Sequence, residues 1–353
     1  MGFRILAIET SCDETAAAVV VNRRVLSNVI ASQEIHHRWG GIVPEFASRA
    51  HIERIWSIVA RACEQAEMSI AEFDAVACTV QPGLVGSLLV GSNFAKGIAV
   101  ARSIPCVPVH HLEGHLLSGY LAEPSLQLPA VVLVVSGGHT LLFLLETPTN
   151  YRLLGSTRDD AAGETFDKIA TLLGLPYPGG PAIEELARHG APTIPLPRPL
   201  LHNRSYEFSF SGLKTAVRRY LSEHPLQSHA ERATLAASVQ EAIVDVLVTK
   251  TIRAAEEFHA ATIVVAGGVA ANRRLQEQMR AHAHVRNIAV VIPDRQYVLD
   301  NAAMIGLVAH MKLELRGLEA YYAMDFTVDP TPLRFYRHGA AKHARYGTET
   351  FSL

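Results

Sequence analysis

The chain has 353 residues, 49% hydrophobic and 19% charged, with a formal net charge of −2; that length supports a large core and two units of ordinary domain size, and the charge balance carries none of the basic excess that marks a nucleic-acid-binding domain. The longest apolar runs, AVVLVV at 130–135 and LLFLL at 141–145, fall far short of the roughly 20 residues a membrane helix needs. MGFRILAIE lacks the layout of a signal peptide, and Leu6 stands where a myristoylation signal requires Ser or Thr, so the expected location is the cytoplasm with no membrane partner.

Residues 3–9 (FRILAIE) read as a buried strand, SCDET as a tight polar turn, AAAVVVN as its hairpin partner and RRVLSNVIAS as a third strand. EFASRAHIERIWSIVARACEQA has helical periodicity, DAVACTV is a strand, LVGSLLVGSNFAKGIAVARS a helix and IPCVPVH another strand. LAEPSLQLP at 121–129 interrupts the pattern with its prolines. The same grammar then returns: PAVVLVVS, GGHT, LLFLLET and YRLLGST, followed by the helical DDAAGETFDKIATLLG. Proline-rich GAPTIPLPRP at 190–199 is expected to be a surface loop, 229–259 a long helix, TIVVAG a strand, the chain from about 271 a helix and IAVVIP a strand. Two copies of one βββαβαβα unit predict an α/β fold of two related lobes with a cleft between them. The expected division is 1–125, 126–312, and a segment 313–353 that packs back on the first lobe. That segment ends in a basic tail with Arg334, Arg337, His338, Lys342, His343 and Arg345, read either as solvated or as contacting phosphate or a partner. Cys12, Cys63, Cys78 and Cys106 form no C-x-x-C pair, which argues against disulfides and a thiolate metal site.

In VHHLEGHLLS, His111 and His115 stand four residues apart, which on a helix puts both imidazoles on one face, about 5–6 Å apart at Cβ, within reach of one metal ion. A zinc peptidase of the H-E-x-x-H type needs its glutamate directly after the first histidine. Here Leu112 is in that place, and Glu113 would project about 200° around the helix from His111. The pair is therefore two ligands lacking a third, for which Asp294 and Asp300 in IPDRQYVLDNAAMIG are the candidates, although Asp300 could equally be a helix cap. Two histidines and one carboxylate with open positions suit Fe(II) or Zn(II) acting as a Lewis acid.

SGGHT could cradle a phosphate or carboxylate on successive backbone N–H groups, or Gly137 and Gly138 could be hairpin residues with positive φ. VVAGGVAANRRL, a strand entering a glycine turn and then a helix, is the second candidate anion site. In SCDET, Asp13 and Glu14 place carboxylates where the second lobe has glycines, either facing the cleft or closing an Asx turn. In DDAAGETFDKIA, Asp159 or Asp160 is expected to cap the helix, while Asp160, Glu164 and Asp167 share a face. The Gly179-Gly180 turn that follows should bring backbone close to whatever Asp167 contacts.

These motifs together, AIETSCDETAAAVV, GGIVPEFASRAHIE, PGLVGSLLVG, VPVHHLEGHLLS, LVVSGGHT, DDAAGETFDKIATLLGLPYPGGPAIE, FSFSGLKTAV, VAGGVAANRRL and DNAAMIG, closely resemble the tRNA N6-adenosine threonylcarbamoyltransferases, once called O-sialoglycoprotein endopeptidases. The resemblance implies a two-lobed actin/Hsp70-like (ASKHA) fold, in agreement with the duplicated unit. It implies metal ligands at His111, His115 and Asp300 for one divalent ion, Fe(II) favoured and Zn(II) the alternative. It implies a substrate loop at Val134, Val135, Ser136, Gly137 and Gly138, with further contacts at Asp167, Gly180 and Asn272. Many members have Asp where this chain has Glu184, a further candidate contact, and Val134 replaces the tyrosine ligand of archaeal and eukaryotic relatives. The implied reaction moves a threonylcarbamoyl group from threonylcarbamoyl-AMP to N6 of adenosine 37 in tRNAs reading codons that begin with A, with Asp13 the candidate for orienting or deprotonating the amine. The implied partners are tRNA, a shorter paralogous subunit, a small P-loop ATPase and an upstream threonylcarbamoyl-AMP synthase. Two other readings are an actin-like ATPase or kinase, which needs no paired histidines, and a non-catalytic scaffold of a tRNA-modifying complex, which could lose the triad that this chain keeps.

Overall fold

Strands that are apolar on both sides must be covered on both sides, and the chain meets this requirement twice. The structure, a computed structural model, describes residues 2–39, 41–331 and 351–352; the basic tail singled out above lies outside the described residues. It divides into two units, one of residues up to Leu121 together with those from Asp294 onward, the other of Ala122–Pro293 with the short strand at 351–352.

In the first unit, β1 (Arg4–Glu9), β2 (Glu14–Val21) and β3 (Arg24–Ser32) pair antiparallel. Helix α1 (Pro44–Gln65) leads to β4 (Ala75–Gln81), and α2 (Val85–Arg102) to β5 (Cys106–His110), both strands joining in parallel to give the order β3-β2-β1-β4-β5. Helix α3 (His111–Leu117) follows β5 without a gap, and a single turn, α4 (Gly119–Ala122), comes next. Leu6 and Ile8 face α1 and α2, packing with Ile55, Val59, Ala95 and Ala99.

The second unit repeats this plan. β6 (Ala130–Val135), β7 (Thr140–Thr147) and β8 (Asn150–Ser156) are antiparallel, and α5 (Ala162–Leu172), α6 (Gly179–Ala187), α7 (Ser211–Glu223) and α8 (His229–Glu257) intervene before β9 (Thr262–Ala266). Helix α9 (Arg273–His284) and β10 (Ala289–Val291) complete the order β10-β9-β6-β7-β8, with β9 and β10 parallel to β6 and β11 (Phe351–Ser352) added beside β8. All six β6 residues are buried, as expected of a strand covered on both faces. The 190–199 stretch is a loop, held to α8 by Ile194 N–H donating to Ser238 Oγ and by an Arg198–Asp245 ion pair.

Two expectations change. The division at residue 312 assigned DNAAMIG to the second lobe, but α10 (Arg295–Val298) and α11 (Ala302–Arg316) belong to the first unit. Helix α11 is buried from Ala302 to Met311 because it covers the other face of the first sheet: a Cβ on Gly306 would lie 2.5 Å from Val20 Cγ2 and 3.2 Å from Ala7 Cβ. Beyond it, Lys96 Nζ donates to the Phe326 carbonyl at 2.7 Å and sits 4.1 Å from that ring's centre. Second, neither Asp159 nor Asp160 caps α5. Asp159 Oδ1 accepts the Phe210 and Ser211 N–H groups at the start of α7, and Lys168 Nζ bridges Asp160 and Glu164 at 2.8 Å each.

Candidate metal centre and substrate-binding turns

β1, β4 and β5 run parallel, so Glu9, Thr79 and His110 all emerge at the carboxyl ends of their strands. His110 accepts the Leu112 N–H at 3.1 Å through Nδ1 and so caps α3, which holds His111 and His115 on one face with ring centres 4.7 Å apart and planes at 90°. Gly114 lets α3 lie close against α11: a Cβ there would come within 2.8 Å of Met304 Cγ and 3.3 Å of Ile305 Cδ1. The helix-cap alternative for Asp300 does not hold. Asn301 is the cap, its Oδ1 accepting the Met304 N–H at 3.0 Å, which leaves the Asp300 carboxylate to face the histidines.

Asp300 Oδ1 lies 3.0 Å from His115 Nε2 and 3.4 Å from His111 Nε2. Each of the three residues offers a ligand atom within 4.8 Å of the others. Asp294 is not among them; it precedes α10 and accepts the Tyr297 N–H at 2.7 Å through its backbone carbonyl. The donor set, two imidazole nitrogens and one carboxylate oxygen, is that of a divalent Fe or Zn site with open positions. All three residues belong to the first unit, whereas the division at 312 had put Asp300 in the second lobe. Glu113 points elsewhere and pairs with Lys312 Nζ at 2.9 Å, which disfavours a peptidase further.

Sequence reading missed Glu9, Ser11 and Thr79. Glu9 is fully buried; its carboxylate accepts the Ser11 N–H and the Thr79 hydroxyl, and Oε2 lies 3.1 Å from His111 Nδ1. The signal was present, since an acid closes the apolar run ILAI of the first strand and TV closes another strand. Burial works against charging His111, but the Asp300 and Glu9 carboxylates outweigh it and hold the imidazole well above its ordinary value. Burial likewise opposes ionising Asp300, yet His111 and His115 keep it well below the usual carboxylate range. Asp13 is half-buried in the turn after Glu9. That turn is pinned from α1 by His51, whose Nε2 lies 3.0 Å from the Cys12 carbonyl and whose Nδ1 lies 2.8 Å from Thr15 Oγ1. Burial, then Asp300, then Asp13 push the neighbouring Glu14 well above the carboxylate range, so these acids share one electrostatic field. All four cysteines are free thiols.

In the second unit β6 and β9 are parallel neighbours with Val134 opposite Ala266, so the SGGHT and AGGVAAN turns leave the same end of the sheet. Val134 and Val135 are core residues, which leaves only their backbone to meet a ligand. Ser136 N–H donates to the His139 carbonyl at 2.8 Å and accepts the His139 N–H on Oγ at 3.1 Å. Gly137 and Gly138 do not have positive φ, and a Cβ on either would meet nothing within 4 Å, so the hairpin explanation for them fails and their smallness serves open space. Gly180 is equally unobstructed. Asp167 Oδ1 accepts the Gly179 N–H at 2.7 Å, the close backbone approach expected of that turn. Burial raises the Asp167 pKa against the pull of the Gly179 and Gly180 N–H groups. Asn272 caps α9 at 3.0 Å from Leu275 N, and its amide reaches Gln240 Oε1 at 2.9 Å and Glu184 Oε2 at 3.4 Å. Asn272 and Glu184 are thus brought together, with Gln240 a participant that the sequence did not reveal.

Comparison with known proteins gives this geometry its context. The chain is 55% identical over 311 residues to the tRNA N6-adenosine threonylcarbamoyltransferase of Moorella thermoacetica, covering 87% of this chain and 91% of that one. It is 50% identical over 330 residues to the enzyme of that name from Geobacillus kaustophilus, covering 91% and 94%. Among solved structures, T. kodakarensis HypF superposes with a TM-score of 0.60 at 14% identity over 90% of this chain and 48% of that one. Component A of Acidaminococcus fermentans (R)-2-hydroxyglutaryl-CoA dehydratase gives 0.51 at 14% identity over 89% and 99%. Both likenesses concern the fold, which is of the actin-like ASKHA type. The profile of one family matches residues 24–307, and with relatives this similar over nearly the whole length, the chain belongs to the tRNA N6-adenosine threonylcarbamoyltransferases.

Proposed function

We propose that this chain transfers the threonylcarbamoyl group of threonylcarbamoyl-AMP to N6 of adenosine 37 in tRNAs reading codons that begin with A, forming t6A. The observation that carries the reading is the convergence of His111, His115 and Asp300 in a chain of this family. An exocyclic adenine amine is a weak nucleophile, so the carbonyl it attacks must be activated beforehand, and AMP as leaving group provides this. A divalent ion held by the triad, Fe(II) in this reading and Zn(II) as alternative, would supply placement and carbonyl polarisation. The chain's own part is otherwise binding and orientation. The backbone of Val134–Gly138 and the entry to α9 offer N–H groups to the adenylate, with Asp167, Gly180, Asn272 and Glu184 as further contacts. An anticodon-loop base is already single-stranded and can be splayed out at modest cost. Asp13 orients or deprotonates the amine, unless the phosphate of the donor does so. An ATPase or kinase would have no use for the triad, and a scaffold would have no reason to keep it.

The partners are tRNA, a shorter paralogous subunit, a small P-loop ATPase and the synthase that makes the donor. No helix among the described residues is long and apolar enough to cross a membrane, and the expected compartment is the cytoplasm. A paralogous subunit needs an apolar face to dock on, and α1 and α2 expose Ile52 (65%), Trp56 (61%), Val85 (52%) and Leu89 (44%), with Trp56 against Phe94. Trp56→Asp is expected to weaken that association at least about tenfold, read by calorimetry, because an exposed anchor of this kind contributes about 2 kcal/mol or more; unchanged affinity would move the interface elsewhere. The reaction is tested by mixing purified chain, partners, synthetic threonylcarbamoyl-AMP and unmodified tRNA, then digesting to nucleosides. Modified adenosine is the expected product, and its absence from the complete mixture would reject the assignment.

A further inference from the structure

We infer that Glu9 is a positioning residue of the metal centre: its buried carboxylate accepts a hydrogen bond from His111 Nδ1–H and thereby leaves Nε2 as the nitrogen that meets the ion. The inference rests on the metal-site reading above. A carboxylate wholly removed from solvent costs several kcal/mol unless its surroundings compensate. The rest of β1 shows what packing alone asks for at this depth, since Ile5, Leu6, Ala7 and Ile8 are all fully buried and apolar. Glu9 is instead held by two neutral donors, the Ser11 N–H and the Thr79 hydroxyl, which fix the carboxylate with Oε2 aimed at His111.

The direction of the proton follows from the chemistry of the partners. An ionised carboxylate only accepts, so with no ion present each ring nitrogen of His111 turns a hydrogen toward its carboxylate; an ion bound between His111 and Asp300 would displace the one on Nε2, while buried Glu9 keeps the one on Nδ1. Ser11 Oγ, 3.2 Å from the same Nδ1, can donate or accept and therefore cannot dictate the tautomer. His115 has no such partner: its Nδ1 is buried without a hydrogen bond. Both rings meet Asp300 through Nε2, but at Nδ1 a carboxylate holds only His111. Glu9 and Asp300 flank His111 from opposite ring nitrogens, and their two negative charges match a divalent cation.

The test is metal affinity, with the full-length chain stripped of metal and titrated with Zn2+ against a chromophoric chelator and with Mn2+ by electron paramagnetic resonance. Wild type should bind one ion and His115→Ala should lose it. Glu9→Gln, which keeps shape but removes the charge and the obligate acceptor, should bind both ions roughly 10–100-fold more weakly. Its melting temperature in EDTA should stay close to wild type, and its transfer activity should recover as Zn2+ or Fe2+ is raised, as a positioning role requires and a collapsed core does not. Nitrogen-15 spectra of histidine in Zn2+-loaded wild type provide a reading that no variant can confound: His111 should be ligated through Nε2 with a slowly exchanging proton on Nδ1. Wild-type affinity in Glu9→Gln, or ligation of His111 through Nδ1, overturns the role of Glu9 while the site itself stands. Equal binding by wild type and His115→Ala overturns the site reading and this inference with it.

Discussion

Asp300→Ala is expected to lower t6A formation by at least about 10³-fold and to leave the purified chain without its stoichiometric metal, read by nucleoside digestion and elemental analysis. The triad contains one carboxylate, and without it two neutral imidazoles would have to hold a divalent ion in a site that is almost wholly buried. Losing a Lewis acid removes several kcal/mol of transition-state charge stabilisation, and each 1.36 kcal/mol is about tenfold in rate. The fold should survive, because Asn301 and not Asp300 caps α11. His111→Ala should behave alike. Undiminished product from both variants would remove the triad from the reaction and with it the mechanism proposed above.

Gly267→Ala should be among the more damaging single-methyl changes in the second unit, at about 3 kcal/mol of stability in chemical denaturation. Gly267 has φ +89°, which side chains rarely adopt, and a Cβ there would lie 2.4 Å from the Val135 carbonyl oxygen and 2.8 Å from its carbon. Those atoms end a central strand and cannot retreat without moving the turn that follows it. The variant should therefore lose donor affinity together with stability. Gly137→Ala provides the contrast: with nothing within 4 Å of its Cβ and no positive φ, it should fold within about 0.5 kcal/mol of wild type while binding the donor more weakly. A denaturation midpoint for Gly267→Ala equal to wild type would mean that the two turns are not coupled through this contact.

Much of this was legible along the chain because it is local. Short continuous apolar runs separate the strands of each unit from its helices with their 3.6 period, and the repetition of one pattern announced two sheets built alike. The four-residue spacing of His111 and His115 placed their rings on one face without any tertiary information. Asp300 was harder. A carboxylate before an apolar helix reads as a cap, and only the backbone of residues 299–304 reveals that the cap is its neighbour. Glu9 escaped altogether: it precedes His111 by 102 residues, and nothing in the spacing joins the end of one strand to the helix that follows another.

The amino-acid order by itself determined the elements, the duplication, the histidine pair and the family, since each is written in periodicity or in short contiguous motifs. The tertiary structure alone decided that α11 covers the first sheet, that the aspartate reaching the histidines is Asp300 and not Asp294, and that a buried glutamate stands behind His111. The physical reason is that a parallel sheet brings the carboxyl ends of strands distant in sequence side by side, so the partners of a site are chosen by strand order and by which helix fills the remaining apolar face.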